Sequence, residues 1–477
     1  MSSLIREPSN PMHWDEEVDV LVVGLGAAGA AAGLEASAQG ANTLILERAS
    51  GGGGTSAMSG GVIYLGGGTA LQKACGFDDS PEEMFKYLMA STGDAPDETK
   101  MRMYCEGSVA HFDWLCSQGV PFKPTYYHGT SGEPPTDDGL VWSGAEQAHP
   151  FKDLARPAPR GHVPQVEHQG GPLLMQKLCH AVSQSPARVG TDQRCIALYQ
   201  SSEGEVLGAA VESFGKERRI RAHGGVVVTT GGFVLNDKML SQHAPLAHQC
   251  SMRVAANGDD GSGIRLGMAA GAATLNMNSI SVSLPITQPW GLKRGLLVNA
   301  QGQRFINEDT YYGRLGEAAL LKQKGQVWLI VDNEIFEKPE YIEEIAATGD
   351  DFSSLAQELR LPPGSLEATL EYYNEHAEKG LDPVFHKRSE YVSPLKNPPF
   401  GAIDCTTDKA LYAVFTLGGL HTDTEGHVLD PEGEPIPGLF AAGRSTSGLA
   451  IDGYSSGLSL GDGTFFGRRA GRSAAKR

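Results

Sequence analysis

A glycine turn and a more distant glutamate are the residues whose types and spacing most directly suggest chemistry. The turn reads Gly24-Leu25-Gly26-Ala27-Ala28-Gly29, and Glu47 follows it by roughly 20 residues. Glycines let a backbone turn approach a pyrophosphate closely, and the helix that begins there points free N–H groups at the phosphates. A carboxylate at the position of Glu47 accepts hydrogen bonds from a ribose. These residues together predict a dinucleotide site.

The sequence around the turn supplies the elements that must position it. An apolar run over 18–23 predicts a buried strand, an alanine-rich stretch predicts a helix, and a second apolar run ends at Glu47. A strand, a glycine turn, a helix and a strand that ends in an acid form a βαβ unit, which is far more specific than the glycines alone. The alternative is a glycine-rich strand-to-helix turn that binds no ligand.

Four further groups of small residues are expected to face the same ligand. They are a glycine loop over 51–61, a turn at 230–232 after an apolar strand, a glycine-rich turn over 257–263, and a strand, turn and helix over 438–471. A flexible linker is the alternative for 51–61. Besides the first turn, the candidate cofactor-binding residues are Glu47, Arg48, Thr55, Ser56, Ser59, Gly60, Gly61, Thr230, Gly231, Gly232, Gly443, Arg444, Gly457, Ser459 and Leu460.

Composition limits the class of protein and of partner. The chain has 477 residues, long enough for two domains, and a formal net charge of −18. This charge argues against nucleic acid or an anionic membrane as a partner, because phosphates require a basic surface. The N-terminus has no apolar core typical of a secretory signal, and no stretch predicts a transmembrane helix. The seven scattered cysteines predict a reducing cytoplasm and no metal site.

Residues 276–405 differ in character from the rest of the chain. They combine charged segments, with helices predicted over 341–347, 351–359 and 363–379, and proline-rich connections. We therefore predict an α/β protein in which residues 1–275 and 406–477 form one discontinuous Rossmann-like domain. Residues 276–405 are predicted to form an α+β cap domain inserted between the two halves.

Taken together, these segments resemble the FAD-containing family of fumarate reductase and succinate dehydrogenase flavoproteins and the 3-ketosteroid dehydrogenases. The matching segments are the first glycine turn with Glu47, Ser59-Gly60-Gly61, Thr230-Gly231-Gly232, Arg304-Phe305-Ile306-Asn307-Glu308 and the stretch from Gly438 through the last helix. The resemblance spans nearly the whole chain. It implies FAD bound by the discontinuous domain, with the active site between that domain and a catalytic cap.

The same resemblance implies how FAD is held and reoxidised. Members with covalent FAD use a histidine in the first loop, and residues 51–61 contain none, so we expect non-covalent FAD. A second strand with a GxGxxG turn, which a nicotinamide would require, is not found in the sequence. The expected electron acceptor is therefore a quinone or another diffusible molecule.

Two tyrosines stand where family members that act on dicarboxylates have arginines. Tyr312 lies four residues after the pair Asn307-Glu308, and Tyr454 opens the segment Tyr454-Ser455-Ser456-Gly457. Without these arginines a substrate carboxylate loses its bidentate partners, which disfavours a dicarboxylate. Tyrosines at these places are similar to the 3-ketosteroid dehydrogenases. Their YAGPG segment is one residue longer and has proline where this chain has serine, which favours the Δ4-(5α) branch over the Δ1 branch.

Desaturating a ketone next to its carbonyl requires a base, a hydride acceptor and donors for the enolate-like oxygen. FAD would accept the hydride at N5. From the resemblance we expect Tyr312, with Tyr311 beside it, and Ser456 to remove the α-proton. We expect the Tyr454 hydroxyl and the Gly457 N–H to hold the ketone oxygen, although the sequence does not decide which tyrosine is the base. A tyrosine with a pKa of about 10 is a weak base at neutral pH and must be tuned.

Several alternatives remain open on the sequence alone. Each tyrosine could instead be an aromatic of the domain interface with a satisfied hydroxyl. The chain could be a 3-ketosteroid Δ1-dehydrogenase, or a flavin reductase of an unsaturated acid of the fumarate or urocanate type. It could also bind FAD without turnover. The sequence does not decide the steroid side chain, the ring position that is oxidised, the identity of the diffusible electron acceptor or the oligomeric state.

Overall fold

The computed structural model describes residues 4–9, 12–129, 133–286, 289–342 and 344–477. The strands, in chain order, are β1 (Ile5–Arg6), β2 (Glu16–Val23), β3 (Thr43–Leu46), β4 (Ile63–Tyr64), β5 (Leu140–Val141), β6 (Gly161–His162), β7 (Arg188–Gly190), β8 (Arg194–Gln200), β9 (Val206–Ser213), β10 (Lys216–Val228), β11 (Met252–Arg253), β12 (Thr274–Leu275), β13 (Ile280–Ser283), β14 (Leu296–Asn299), β15 (Val327–Val331), β16 (Ile345–Gly349), β17 (Phe400–Asp404), β18 (Ala413–Thr416), β19 (Gly419–Leu420), β20 (His427–Leu429) and β21 (Pro435–Ala441).

The α-helices, in chain order, are α1 (Ala27–Ala38), α2 (Gly54–Ala57), α3 (Ala70–Ala74), α4 (Pro81–Ser91), α5 (Glu98–Ser117), α6 (Phe151–Leu154), α7 (Gly171–Gln184), α8 (Asp237–His243), α9 (Ser262–Ala269), α10 (Tyr312–Glu317), α11 (Phe352–Glu358), α12 (Ser365–Ala377) and α13 (Leu458–Lys476). Short 3₁₀ helices cover Pro245–Gln249, Trp290–Arg294, Ser389–Tyr391 and Gly443–Ser445, and a π-helical turn covers Ala318–Lys322.

The largest sheet carries the first glycine turn at the end of a central strand. Its order is β1-β8-β9-β10-β2-β3-β7, with β21 added beside β10 and β20 beside β21. Strand β2 pairs in parallel with both β3 and β10, and β10 also pairs in parallel with β21. Parallel strands of this kind are joined through helices that cover the sheet. The predicted α/β class with a Rossmann-like sheet is confirmed.

The sequence of β2 explains its central position. Its first half alternates in burial, whereas Val20, Leu21 and Val22 are completely buried. Strands covered on both faces read as continuous apolar runs, which is the pattern of this second half. The strand therefore ends inside the protein, and the glycine turn that follows opens onto an interior cavity.

Helices α1 and α13 pack against each other through small residues. A Cβ atom added to Gly467 would lie 2.5 Å from the carbonyl oxygen of Ala28. One added to Gly471 would lie 2.8 Å from the Cα of Ala32 and closer still to its carbonyl oxygen. The two backbones can approach this closely only because side chains are missing at the contact. The contact brings the C-terminal helix beside the N-terminal glycine turn.

A second, antiparallel sheet, β14-β15-β17-β16, belongs to the region predicted to form the cap. The segment before α10 is held by a buried group of charges. The Arg304 guanidinium contacts Glu308 at 2.8 Å and Asp382 at 3.0 Å, and Lys387 Nζ lies 2.9 Å from Glu308. Breaking one partner of such a buried group leaves an uncompensated charge, so this part of the chain is rigid where it leads into Tyr312.

One predicted helix in this region is wrong. A helix is expected over 341–347. Instead, strand β16 covers 345–349 and pairs with β17. Residue 343 lies outside the described residues. The charged composition suggested a helix, whereas pairing at the edge of the sheet favours a strand. The helices predicted over 351–359 and 363–379 are confirmed as α11 and α12.

The predicted domain limits at 275 and 405 are not resolved by the sheets. Strand β18 pairs with β11 on one side and with β13 on the other, so strands from both sides of each limit share a sheet. These limits stay a prediction.

Within the described ranges, no helix combines the length and apolarity needed to cross a bilayer, and no group of three potential metal ligands occurs. The seven cysteines are free thiols.

The contact between α1 and α13 makes a testable prediction about stability. Gly471→Ala should by itself stabilise the helical conformation of α13 by about 1 kcal/mol. However, the added Cβ would press on the backbone of Ala32. We expect a net destabilisation of about 1–3 kcal/mol, because a backbone cannot move aside as a flexible side chain can. Thermal unfolding measures this, with Gly401→Ala as control, since its nearest atom would lie at 3.8 Å. A rise in melting temperature for Gly471→Ala would contradict the packing.

Candidate active site

A cavity of about 1630 Å³ lies where the carboxyl ends of β2, β3 and β10 meet the beginnings of α1 and α13. Its lining includes, of the residues predicted from the sequence, Gly24, Gly26, Ala27, Ala28, Glu47, Arg48, Thr55, Ser56, Ser59, Gly60, Gly61, Thr230, Gly231, Tyr311, Tyr312, Gly443, Arg444, Tyr454, Ser456, Gly457, Ser459 and Leu460. Candidates from the two ends of the chain and from the predicted cap thus face one space.

Two predicted residues do not line the cavity but support it. A Cβ on Gly29 would lie 2.8 Å from Thr229 Oγ1 and nearer still to the Gly24 carbonyl oxygen, so this glycine serves the packing of helix against turn. The Gly232 N–H donates to Asp259 Oδ1 at 2.5 Å. Both act on the shape of the site rather than on a ligand.

The first turn has the geometry that its glycines suggested. Gly24 has φ +107°, and a Cβ there would lie 2.6 Å from the Thr229 carbonyl oxygen. A Cβ on Gly26 would meet nothing closer than Ser56 Oγ at 3.6 Å, so this position is open towards the cavity. The turn therefore forms a cradle that a phosphate group can approach at the start of α1.

Glu47 is held by backbone donors. Its Oε2 accepts the Leu25 N–H at 2.9 Å and its Oε1 accepts the Ala49 N–H at 2.9 Å, with 8% of the residue exposed. A carboxylate oxygen can accept more than one hydrogen bond, so both oxygens keep capacity for ribose hydroxyls. Next to it, Arg48 pairs with Asp260 at 2.8 Å.

Asp259 organises the opposite side and was not among the predicted site residues. It accepts hydrogen bonds from Thr55 Oγ1 at 3.0 Å and from Gly232, and it pairs with Arg444. The signal in the sequence was an acid inside the glycine-rich turn at 257–263. Arg444 Nη1 is buried and has no hydrogen-bond partner among the described residues. A buried cation with a free donor indicates a ligand that supplies acceptor oxygens.

Tyr454 presents its hydroxyl at the start of α13. The hydroxyl oxygen accepts the Ser459 N–H at 3.1 Å, and the residue is 9% exposed. Burial raises the pKa of Tyr454, while Ser459, the charge of Arg444 and the Gly457 N–H oppose that rise. A phenol has one hydrogen to donate. Because the Ser459 N–H already bonds to the oxygen, that hydrogen remains available for an acceptor on a ligand.

Tyr311 and Tyr312 form a pair at the beginning of α10, with ring centroids 4.3 Å apart. Burial raises the pKa of Tyr312 to about 12, and hydrogen bonds from Tyr311 and Ser456 oppose this rise, while the charge of Glu133 adds to it. Burial and the neighbouring Tyr312 raise the pKa of Tyr311 further. Of the two hydroxyl groups, therefore, that of Tyr312 has donors that stabilise its ionised form.

Apolar and aromatic residues line another part of the cavity, and the sequence did not single them out. Phe415 packs edge-on against Tyr454, with centroids 5.2 Å apart. Trp290, Pro285, Leu411 and Val254 also line the space. They lie in short strands and proline-rich connections, where no periodicity marks an aromatic as site-facing. A wall of this kind suits a flat apolar ligand.

Comparisons with known proteins agree with this geometry. The family profile described as FAD binding domain matches residues 19–458. The 3-oxo-5-alpha-steroid 4-dehydrogenase of Comamonas testosteroni is 30% identical over 91% of this chain and 94% of its own length. A cytochrome-type fumarate reductase of Shewanella frigidimarina is 27% identical over 97% of this chain and 77% of its own.

A crystal structure gives the same result in three dimensions. It is 3-ketosteroid-delta4-(5alpha)-dehydrogenase from Rhodococcus jostii RHA1 in complex with 4-androstene-3,17-dione, and it is 45% identical with a TM-score of 0.94. The match covers 99% of this chain and 100% of that one. The predicted family resemblance and the prediction of FAD are thereby confirmed. Non-covalent attachment and the roles of individual residues stay predictions.

Glu47 allows a test of cofactor binding. Glu47→Gln keeps one acceptor oxygen, so either the Leu25 or the Ala49 N–H loses its partner and faces an NH₂ group. We expect the Kd for FAD to rise about tenfold, equivalent to about 1.4 kcal/mol. Titrating the apoprotein with FAD by flavin fluorescence measures this. Glu17→Gln, on the surface beside His223, should leave the Kd unchanged, and equal affinities in both variants would contradict the assignment of Glu47.

Proposed function

We propose that this chain, which belongs to the FAD binding domain family, is an FAD-dependent oxidoreductase. It desaturates a 3-ketosteroid beside its carbonyl and acts as a Δ4-(5α)-dehydrogenase. The main support is that Tyr312, Ser456 and Tyr454 line one cavity together with the cofactor-binding residues. Two of its relatives are described as dehydrogenases of this kind.

The residues that would hold FAD are those already described. The Gly24–Gly29 turn and α1 would receive the pyrophosphate, Glu47 the ribose, and the free donor of Arg444 a further acceptor of the cofactor. When bound, FAD supplies a hydride acceptor at N5 for the β-carbon of the substrate. The chain itself must remove the α-proton and hold the ketone oxygen.

Tyr312 takes the α-proton, assisted by Tyr311 and Ser456. With a pKa of about 12, ionising it at pH 8 costs roughly 5 kcal/mol. This cost already includes the hydrogen bonds from Tyr311 and Ser456, which favour the ionised form and oppose burial. The ionised Tyr312 oxygen would accept the α-proton, and the electron pair of the broken C–H bond would form the new double bond.

Tyr454 makes the α-proton of the substrate easier to remove, because it stabilises the negative charge that develops on the ketone oxygen. The Tyr454 oxygen accepts the Ser459 N–H, so its hydrogen would be free to bond to the ketone oxygen, and Gly457 lines the same cavity. A donor aimed at a developing oxyanion contributes about 3–4 kcal/mol. That is of the same order as the cost of ionising Tyr312, so the two groups together make proton removal feasible.

The cavity supports a ketosteroid rather than a dicarboxylate. Three arginines line the cavity. Arg48 and Arg444 are paired with Asp260 and Asp259, which leaves Arg444 one free donor. Arg194 lies beside Gln193, whose N–H donates to the Glu47 carbonyl, so it belongs to the side of the cavity that would hold the cofactor ribose. A dicarboxylate requires unpaired bidentate donors at both ends. The apolar wall with Phe415 and Trp290 would instead cover the faces of fused rings.

The reoxidant is proposed to be a quinone or a similar diffusible acceptor, and the compartment the cytoplasm. The sequence has one strand with a GxGxxG turn, which FAD occupies, so a nicotinamide would need a site of another kind. The seven cysteines are all free thiols, as in proteins of reducing compartments.

Anaerobic reduction of the bound flavin tests the residue assignments. A saturated 5α-3-ketosteroid should bleach the wild-type enzyme and give the Δ4 product. Tyr312→Phe and Tyr454→Phe should slow bleaching by about 10²–10⁴ with FAD still bound, because each removes a group needed only in the transition state. Tyr372→Phe, on an exposed face of α12, is the control. Full-rate bleaching in both variants would refute the assignments, and a Δ1 product would refute the regiochemistry.

The raised pKa of Tyr312 predicts the pH dependence. Because the base must lose its proton and its pKa lies near 12, kcat/KM should rise about tenfold per pH unit between pH 6 and 9 without reaching a plateau. Tyr311→Phe removes a donor that lowers this pKa, so it should reduce kcat/KM at every pH in the range. Steady-state rates with an artificial electron acceptor measure both effects. A rate independent of pH over this range would exclude Tyr312 as the base.

A further inference from the structure

We propose that Tyr87, which lies outside the cavity, is a positioning residue for the loop that carries Tyr454, Ser456 and Gly457. It would act through a hydrogen bond to Ser455 that orients Ser456 towards Tyr312. This inference rests on the proposed function, because it assigns Tyr87 to the same reaction.

The Tyr87 hydroxyl joins three separate segments of the chain. Tyr87 lies on α4 and is 1% exposed. Its oxygen accepts the Ala145 N–H at 2.8 Å and lies 2.9 Å from Ser455 Oγ. Since the oxygen accepts the amide, its own hydrogen can be donated to Ser455. One hydroxyl therefore connects α4, the turn at 143–146 and the active-site loop.

Two hydrogen bonds fix the backbone of the loop directly after Ser455. The Ser456 N–H donates to the Ser143 carbonyl at 2.8 Å, and the Tyr64 N–H donates to the Gly457 carbonyl at 3.0 Å. With the Ser455 side chain held inside the protein, the next side chain, Ser456, lines the cavity. The direction of Ser456 thus depends on where Ser455 is anchored.

The surroundings leave little freedom to re-form this connection. Ser455 is completely buried, and a Cβ added to Gly144 would lie 2.6 Å from its hydroxyl oxygen. The Tyr87 hydroxyl would lie nearer still to that added Cβ, so these groups pack tightly around Gly144. If the Tyr87 hydroxyl were removed, the Ala145 N–H and the Ser455 hydroxyl would both lose their partner.

Burial keeps the Tyr87 hydroxyl protonated. Burial raises the pKa of Tyr87 well above its usual value, and the nearby Glu146 adds to this effect, whereas Arg314 opposes it. The Arg160 guanidinium lies 5.6 Å from the ring centroid and pairs with Asp79. The hydroxyl thus remains a donor at any pH used for an assay.

A double-mutant cycle separates positioning from general stability. In stopped-flow reduction of the holoenzyme by a 5α-3-ketosteroid, Tyr87→Phe should lower the limiting rate about tenfold and change the Kd of the steroid by less than about twofold. In a Ser456→Ala background the same change should cost less than about twofold, because the group it orients is gone. Equal losses in both backgrounds would overturn the proposal.

Two further variants test whether the effect comes from this hydrogen bond or from a general loss of stability. Ser455→Ala breaks the same hydrogen bond from the other side and should reproduce the effect of Tyr87→Phe on the limiting rate. Tyr412→Phe is the matched control, since Tyr412 is completely buried and donates to the Cys405 carbonyl at 2.8 Å, away from the loop. It should lower the melting temperature without lowering the limiting rate. A full rate in Ser455→Ala would contradict the proposal.

Hydrogen–deuterium exchange of the holoenzyme tests the loop without any steroid. Amides of residues 453–460 should exchange faster in Tyr87→Phe than in the wild type, and they should be unchanged in Tyr412→Phe. Unchanged exchange in Tyr87→Phe overturns the positioning role. If the steroid fails to reduce even the wild type, the proposed function fails while the exchange result still decides whether Tyr87 holds the loop.

Discussion

The contact between α1 and α13 is the constraint on which the site depends. Gly467 and Gly471 let the last helix lie against the backbone of the first, at Ala28 and Ala32. Two helix beginnings from opposite ends of the chain are thereby placed at one end of the parallel sheet. The start of α1 presents backbone N–H groups there, whereas the start of α13 donates its Ser459 N–H to Tyr454. The site therefore suits an anionic ligand beside α1 before any charged side chain is considered.

A second constraint fixes the other wall of the cavity. The buried charges of Arg304, Glu308, Asp382 and Lys387 hold the segment that precedes α10. Because each of these charges depends on the others for compensation, the segment has one favourable arrangement. Tyr311 and Tyr312 follow it directly and meet the loop of Tyr454 across the cavity. The reacting groups are therefore supported by two rigid bodies that are distant in sequence.

The chemistry of the site depends on hydroxyl groups in an environment that disfavours charge. Burial raises the pKa of Tyr312 to about 12, which would make it a poor base on its own. That pKa already includes the donors at its oxygen, so the donor group for the ketone oxygen has to supply the further stabilisation. A carboxylate base would ionise more easily, but its charge would face an apolar wall and a cofactor that must accept hydride. Hydroxyl groups avoid that permanent charge.

What the sequence by itself determined is the part that depends on local pattern: the strand, turn and helix around Gly24, the acid at Glu47, the apolar strands, and helices α11 and α12. It also placed tyrosines at 312 and 454, through resemblance. The tertiary structure alone decided that 345–349 is a strand, that Asp259 pairs with Arg444, and that Tyr87 reaches Ser455. These contacts join residues far apart in the chain. Their energies depend on burial and on partners that no local pattern encodes.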